Sequence, residues 1–223
     1  MSRWRLATLR RRRGQGSAEQ RAGEAPLASA YHLYGVVRAR GLRGGTDGDA
    51  LRLRYRDLEA LVRPVPFALP ALDPEQVRRH QRVVETAMRR GTILPAPYGV
   101  VFRGRRPLIR FLEDQYLALD EGLAFLEGQW EMRLHITAAG AHEPTPGLDE
   151  RAAALFAELR RRARAALPLA RTPDRLLSAA FLVPRDSWID FVERTHELGE
   201  RDPELLFDVT GPWPPYDFVR MGV

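Results

Sequence analysis

The chain has no cysteine and no lysine: all 35 of its basic residues are Arg. The first absence excludes disulfides, thiolate metal sites and thiol chemistry. The second removes the Gly-Lys-Ser/Thr signature of a phosphate loop, and the glycine-rich stretch at residues 41–49 does not fit Gly-x-Gly-x-x-Gly either, so it reads as an exposed connection. No apolar run approaches the roughly 20 residues that a membrane helix needs; residues 176–183 form the longest, which is the length of a buried strand. Residues 1–23 lack a signal-peptide apolar segment.

The 223 residues allow one large or two small domains, and a hydrophobic fraction of 44% is ample for a core. Charge is unevenly placed. Residues 1–23 hold seven of the 35 Arg and one of the 29 acids, leaving 28 of each in the remainder. The basic character thus belongs to the arm, which reads as a disordered extension or as a contact for an anionic surface. Its composition cannot bury enough apolar area to offset ordering. A chain beginning near Ala25 is expected to melt within a few degrees of the full chain, and a large drop would show that the arm packs on the body.

Several segments have legible local structure. Tyr31 to Val37 has strand composition, and Leu51 to Tyr55 alternates as a half-exposed strand hairpin-linked to Leu58 to Val62, with Pro64 and Pro66 breaking the ladder. Asp73-Pro74-Glu75-Gln76 is a helix start, with Asp73 as N-cap, Pro74 in the first position and Gln76 placed for a capping box. Pro107 opens a second helix with Leu108, Leu112, Tyr116, Leu119, Leu123 and Leu126 on its apolar face. Trp130 to Ile136 alternates with Trp130, Met132, Leu134 and Ile136 on one side, which leaves His135 exposed. A helical stripe runs from Leu148 through Leu159 to Leu167. Leu176 to Val183 is a buried strand, Asp186 or Ser187 caps another helix stopped by Gly199, and Leu205 to Val209 is the last strand. Short antiparallel-capable strands with helices on one face suggest two α+β sandwiches.

Function is less legible from the residues themselves. The five His form no His-x-x-x-His pair, Asp47 and Asp49 lack a downstream Glu at calcium-loop spacing, Ser187 lacks a nucleophile elbow, and no acid–base pair stands out. The expectation is a non-enzymatic protein without cofactor or metal.

The most informative segment is Thr210-Gly211-Pro212-Trp213-Pro214-Pro215-Tyr216-Asp217-Phe218-Val219. Three prolines exclude helix and central strand, and three aromatics make a rigid adhesive strip that should dock in the crease between two domains. This strip resembles the C-terminal signature of the gas vesicle accessory proteins of the GvpL/GvpF family. The likeness extends, in order, through Leu33 to Val37, Tyr55 to Val62, His80-Gln81 with Val83-Val84, Leu94 to Phe102 with Tyr98 and Gly99, Leu126 to Glu131, and Ala179 to Val183. The stretch at Pro144 to Leu148 is shorter than in the family, and the Arg-rich arm is not one of its features.

The resemblance implies an α+β fold of two domains, each modified ferredoxin-like, with a docked proline/aromatic tail. The expected boundaries are an arm over 1–28, domains over 29–128 and 129–210, and the tail over 211–223. It implies a cytoplasmic, vesicle-associated protein that binds the small hydrophobic shell protein, and other vesicle accessory proteins, without a membrane span. Gly211, Pro212, Trp213, Pro214, Pro215, Tyr216, Phe218, His80, Tyr98 and Gly99 are the expected interaction residues. The alternative is an RNA-binding module with a basic N-terminal arm.

Overall fold

The computed structural model of the chain describes residues 30–39, 50–67, 73–140, 147–170 and 172–219. The expectations for the arm and the glycine-rich loop lie outside them, as do residues 144–146 of the shortened stretch. The elements are β1 (Ala30–Arg38), β2 (Leu51–Tyr55), β3 (Leu58–Val65), α1 (Pro74–Arg90), β4 (Ile93–Pro95), β5 (Val101–Phe102), α2 (Arg105–Asp114), α3 (Tyr116–Leu126), β6 (Gln129–Ala138), α4 (Leu148–Arg160), β7 (Ala165–Pro168), β8 (Leu177–Pro184), α5 (Trp188–Glu200) and β9 (Leu205–Trp213), followed by a 3-10 turn over Tyr216–Phe218. They form two antiparallel sheets. The first has strand order β2-β3-β1-β4, with β5 also on β1; the second has order β7-β8-β6-β9.

In the first half, helices cover both faces of the sheet rather than one. Leu33 and Val36 of β1 face α2 and α3 through Leu108, Leu112, Leu119 and Leu123, whereas Tyr34 and Val37 face α1 through Val83, Val84 and Ala87. A register shift between Leu33 and Gly35 lets both sets point inward. The second sheet holds α4 and α5 against one face, around Leu134, Phe181 and Phe191. Its other face meets the first half: Leu182 belongs to the α2–α3 core.

Four local expectations change. Pro64 does not end β3 but pairs with Tyr31 of β1; β2 reaches only Val62, so Pro64 stands where β3 has one neighbour and needs no donor. The helix from Pro107 is two helices, starting at Arg105 and meeting at Gln115, where Tyr116 turns its hydroxyl onto the Asp57 carboxylate at 2.6 Å. The stripe from Leu148 does not run to Leu167: α4 stops at Arg160, and Ala165–Pro168 is an edge strand on β8. Finally, β9 continues past Val209 to Trp213 along the free side of β6, the kind of edge position prolines tolerate.

At the start of α1, the Asp73 carboxylate accepts from the Glu75 amide at 3.0 Å. The capping box is not closed, because Gln76 accepts from Arg63 of β3 instead. Gly199 lies within α5 and serves packing: a Cβ there would meet the Phe207 ring at 3.1 Å.

Candidate functional site

The site is built where the two halves meet, from β1, α1, the β4–β5 loop, β6 and the C-terminal strip. The β4–β5 loop is pinned to β1 by Ala96 N–H donating to the Tyr34 carbonyl at 2.9 Å and Leu33 N–H donating to the Val100 carbonyl at 2.9 Å. Gly99 turns the loop with φ of 100°. That turn sets Tyr98 against His32 and His80, with ring centroids 5.4 and 5.7 Å apart.

The two histidines are buried and share a proton chain. His80 Nε2 donates to the Ala96 carbonyl at 2.9 Å, which leaves its Nδ1 to accept from His32 Nε2 at 2.8 Å. Burial holds both imidazoles neutral, with pKa values lowered to about 4. His80 is therefore buried and fully hydrogen-bonded within this half. His135 differs from the sequence reading: it is half-buried, within 3.0 Å of the Ser178 hydroxyl.

The strip completes the site from the other side. Along β6 the pairing passes from Arg133↔Thr210 to Glu131↔Trp213, so β9 carries one extra residue in a bulge at Gly211-Pro212. Gly211 has φ of 129°, and a Cβ there would lie 2.9 Å from both the Glu131 carbonyl oxygen and the Met132 sulfur. Pro214 and Pro215 are buried. Tyr216 packs on the α1 side of the first half, while Phe218 and Val219 pack on its α2–α3 core. The strip therefore grips both sides of the first domain.

Beneath it lies Glu131, fully buried although it sits on the polar side of an alternating strand. Its Oε1 accepts from Arg133 Nε at 2.8 Å and its Oε2 accepts from the Asp217 amide at 2.9 Å; Arg133 also donates to the Asp217 carboxylate at 3.0 Å. Burial raises the Glu131 pKa to about 8, outweighing the Asp217 amide and Arg133. Burial also raises the Tyr216 phenol.

A cavity of about 390 Å³ opens in this seam, lined by His80, Tyr98, Arg133, Trp213, Pro214 and Tyr216 among others. Five of the expected interaction residues thus converge on one hollow. Gly211 and Pro212 shape the bulge behind it, and Gly99 shapes the turn under Tyr98. Pro215 lines a separate cavity of about 710 Å³ with Trp130 and Arg38, and Phe218 anchors the strip elsewhere. Sequence reasoning missed His32, Glu131, Arg133 and Asp217. The signal for Glu131 was its place in the stretch Leu126 to Glu131, and for Asp217 its place in the strip.

The lining is aromatic and proline-rich with one guanidinium. Among the described residues, no three metal-ligating side chains come together, and no helix is long and apolar enough to cross a membrane.

Comparison with known proteins agrees with this architecture. The family profile described as gas vesicle synthesis protein GvpL/GvpF matches residues 30–150 and 145–220. Gas vesicle protein F1 of Halobacterium salinarum is 24% identical over 207 residues, covering 86% of this chain and 93% of that protein. Gas vesicle protein F of Haloferax mediterranei is 27% identical over 216 residues, covering 88% and 96%. The crystal structure of GvpF from Anabaena sp. PCC7120 superposes with a TM-score of 0.73 at 18% identity, covering 87% of this chain and 98% of that one. GvpF from Microcystis aeruginosa gives 0.66 at 19% identity, covering 85% and 98%. With the profile spanning both sheets and the strip, the chain belongs to the GvpL/GvpF family of gas vesicle synthesis proteins.

Proposed function

We propose that this protein is a non-enzymatic, cytoplasmic accessory factor of gas vesicle assembly that binds the small hydrophobic shell protein through the seam cavity. The observation that carries the reading is the convergence of His80, Tyr98, Trp213, Pro214 and Tyr216 on one preformed aromatic hollow. A strongly hydrophobic subunit exposes apolar patches and strand edges before it polymerises and needs a transient cover. A proline-stiffened aromatic surface supplies that cover at low ordering cost. No nucleotide or metal is required for the contact.

RNA recognition on an open sheet face fits less well. Both faces of the first sheet lie under helices, and the second sheet is covered by α4 and α5 on one face and meets the first half on the other.

Trp213 is half-buried, and its indole N–H donates to the Thr210 hydroxyl at 3.1 Å. Trp213→Ala is expected to cost only about 1–2 kcal/mol of stability, below the range for a fully buried aromatic. It should abolish co-purification with the shell protein, as should Tyr98→Ala. Variants that melt near the wild-type temperature and still retain the shell protein would overturn the reading.

A further inference from the structure

Helix α3 is apolar on two sides, and only one is used. Leu119, Leu123 and Leu126 are buried in the core, yet Leu117 is 73% exposed, Phe125 is 37% exposed, and Ala118 and Ala124 between them are exposed as well. Positions 117, 118, 121, 124 and 125 share one helix face, an apolar stripe about 12 Å long. Such a face on a helix is ordinarily covered.

Its electrostatic setting is distinctive for this chain. Residues 111–132 hold six acids and no Arg, in a protein with 35 Arg. Glu121 lies within the stripe, with Asp114 and Glu127 near its ends, all three exposed. One guanidinium already rests there: Arg164 lies over the Phe125 ring, 5.2 Å from its centroid. The natural occupant is a segment that offers apolar side chains among several Arg.

The chain carries such a segment at its own N-terminus. Residues 3–13 contain Trp4, Leu6 and Leu9 among six Arg, four of them consecutive at Arg10 to Arg13. We propose that this arm lies along the outer face of α3, its apolar residues on Leu117 and Phe125 and its guanidinium groups on Asp114, Glu121 and Glu127. The tether fits. Arg38, at the far end of β1 from Ala30, ion-pairs with Asp120 of α3, and β1 spans about 27 Å. The 16 residues 14–29 can span at most about 53 Å. Because the arm and α3 belong to one chain, the contact is intramolecular and a weak one suffices. Partly screened charge makes the cover releasable by salt.

The absence of cysteine allows a single-thiol test in the full chain. Ala118→Cys places a reporter on the stripe and Ala153→Cys places one on the exposed side of α4. At about 20 mM salt the Ala118→Cys thiol is expected to react about tenfold more slowly with a disulfide reagent than the Ala153→Cys thiol. The protection should vanish at about 0.5 M salt. It should also vanish in the full chain carrying Trp4→Ser, Leu6→Ser and Leu9→Ser with Arg10 to Arg13 changed to Gln. In the double variant Thr8→Cys/Ala118→Cys an intramolecular disulfide should form. Equal reactivity of the two reporters at low salt overturns the proposal. Protection that grows with protein concentration, with a doubled mass in light scattering, overturns it in favour of a second copy on this face.

Discussion

Glu131→Ala is expected to destabilise the protein by about 3 kcal/mol and to free the C-terminal strip. The carboxyl group is fully buried and joins two parts of the chain by accepting from Arg133 and from the Asp217 amide. Truncation leaves that amide without its acceptor, strips Arg133 of one of its two carboxylate partners and opens a void. Denaturant titration measures the loss, and hydrogen exchange of the 216–219 amides reports release of the strip. Wild-type stability would mean that the latch is not made in solution.

The same group sets a pH dependence. Folded Glu131 keeps its proton to about pH 8, whereas the unfolded chain releases it near 4.5. Between those values the folded state binds the extra proton, so stability contributed by this group falls as pH rises and is constant above about 8. His32 and His80 act oppositely: neutral in the fold down to about pH 4 but protonated near 6.5 when unfolded, they lose stability as pH falls from 6.5 towards 4. Two histidines outweigh one carboxyl below 6.5, which places the optimum near that value. From pH 6.5 to 8 stability should drop by about 1 kcal/mol, the loss at Glu131 being partly offset as the last unfolded-state imidazolium deprotonates. Glu131→Gln keeps an acceptor for the Asp217 amide and cannot ionise. Its melting temperature should rise slightly rather than fall across that interval, and a slope matching wild type would refute the assignment.

Gly211→Ala should cost about 3 kcal/mol, although the residue is exposed and its replacement is one methyl group. Its φ of 129° suits glycine, and the added carbon would lie 2.9 Å from the Glu131 carbonyl oxygen and the Met132 sulfur. The Met132 thioether can swing aside, but the Glu131 carbonyl cannot, because it is backbone within a central strand. Relief requires the bulge to lift from β6, which withdraws Trp213 and Tyr216 from the cavity. Chemical denaturation should show the loss, and shell-protein binding should fall with it. An unchanged denaturation midpoint would show that the bulge is not closed in solution.

The sequence made the strong local signals legible: the hairpin of β2 and β3, the Asp73-Pro74 helix start, the alternating β6 strand and the rigid strip. It misled where tertiary contacts overrode local pattern. The apolar spacing from Leu148 through Leu167 fits one helix, but Leu167 owes its apolar character to pairing on β8. Nothing at Gln115 breaks a helix, and the kink is accompanied by packing from outside it. Glu131 and Arg133 occupy what alternation marks as a solvent face, and the strip folds back over them through Asp217. The candidate site was legible in its aromatic and proline members, whose composition is unusual. Its polar members were hidden because lone Glu, Arg and His residues carry no spacing signal.

The position of β9 and the strip at the very end of the described chain has a consequence for biosynthesis. The second sheet lacks one strand, and Glu131 lacks its Asp217 partner, until residues 205–217 emerge from the ribosome. During translation the first sheet and its helices can collapse, but the polar face of β6 has nothing to seal it. The aromatic cavity therefore cannot close before residues 213–216 have been synthesised, and a chain truncated ahead of them lacks three of its walls.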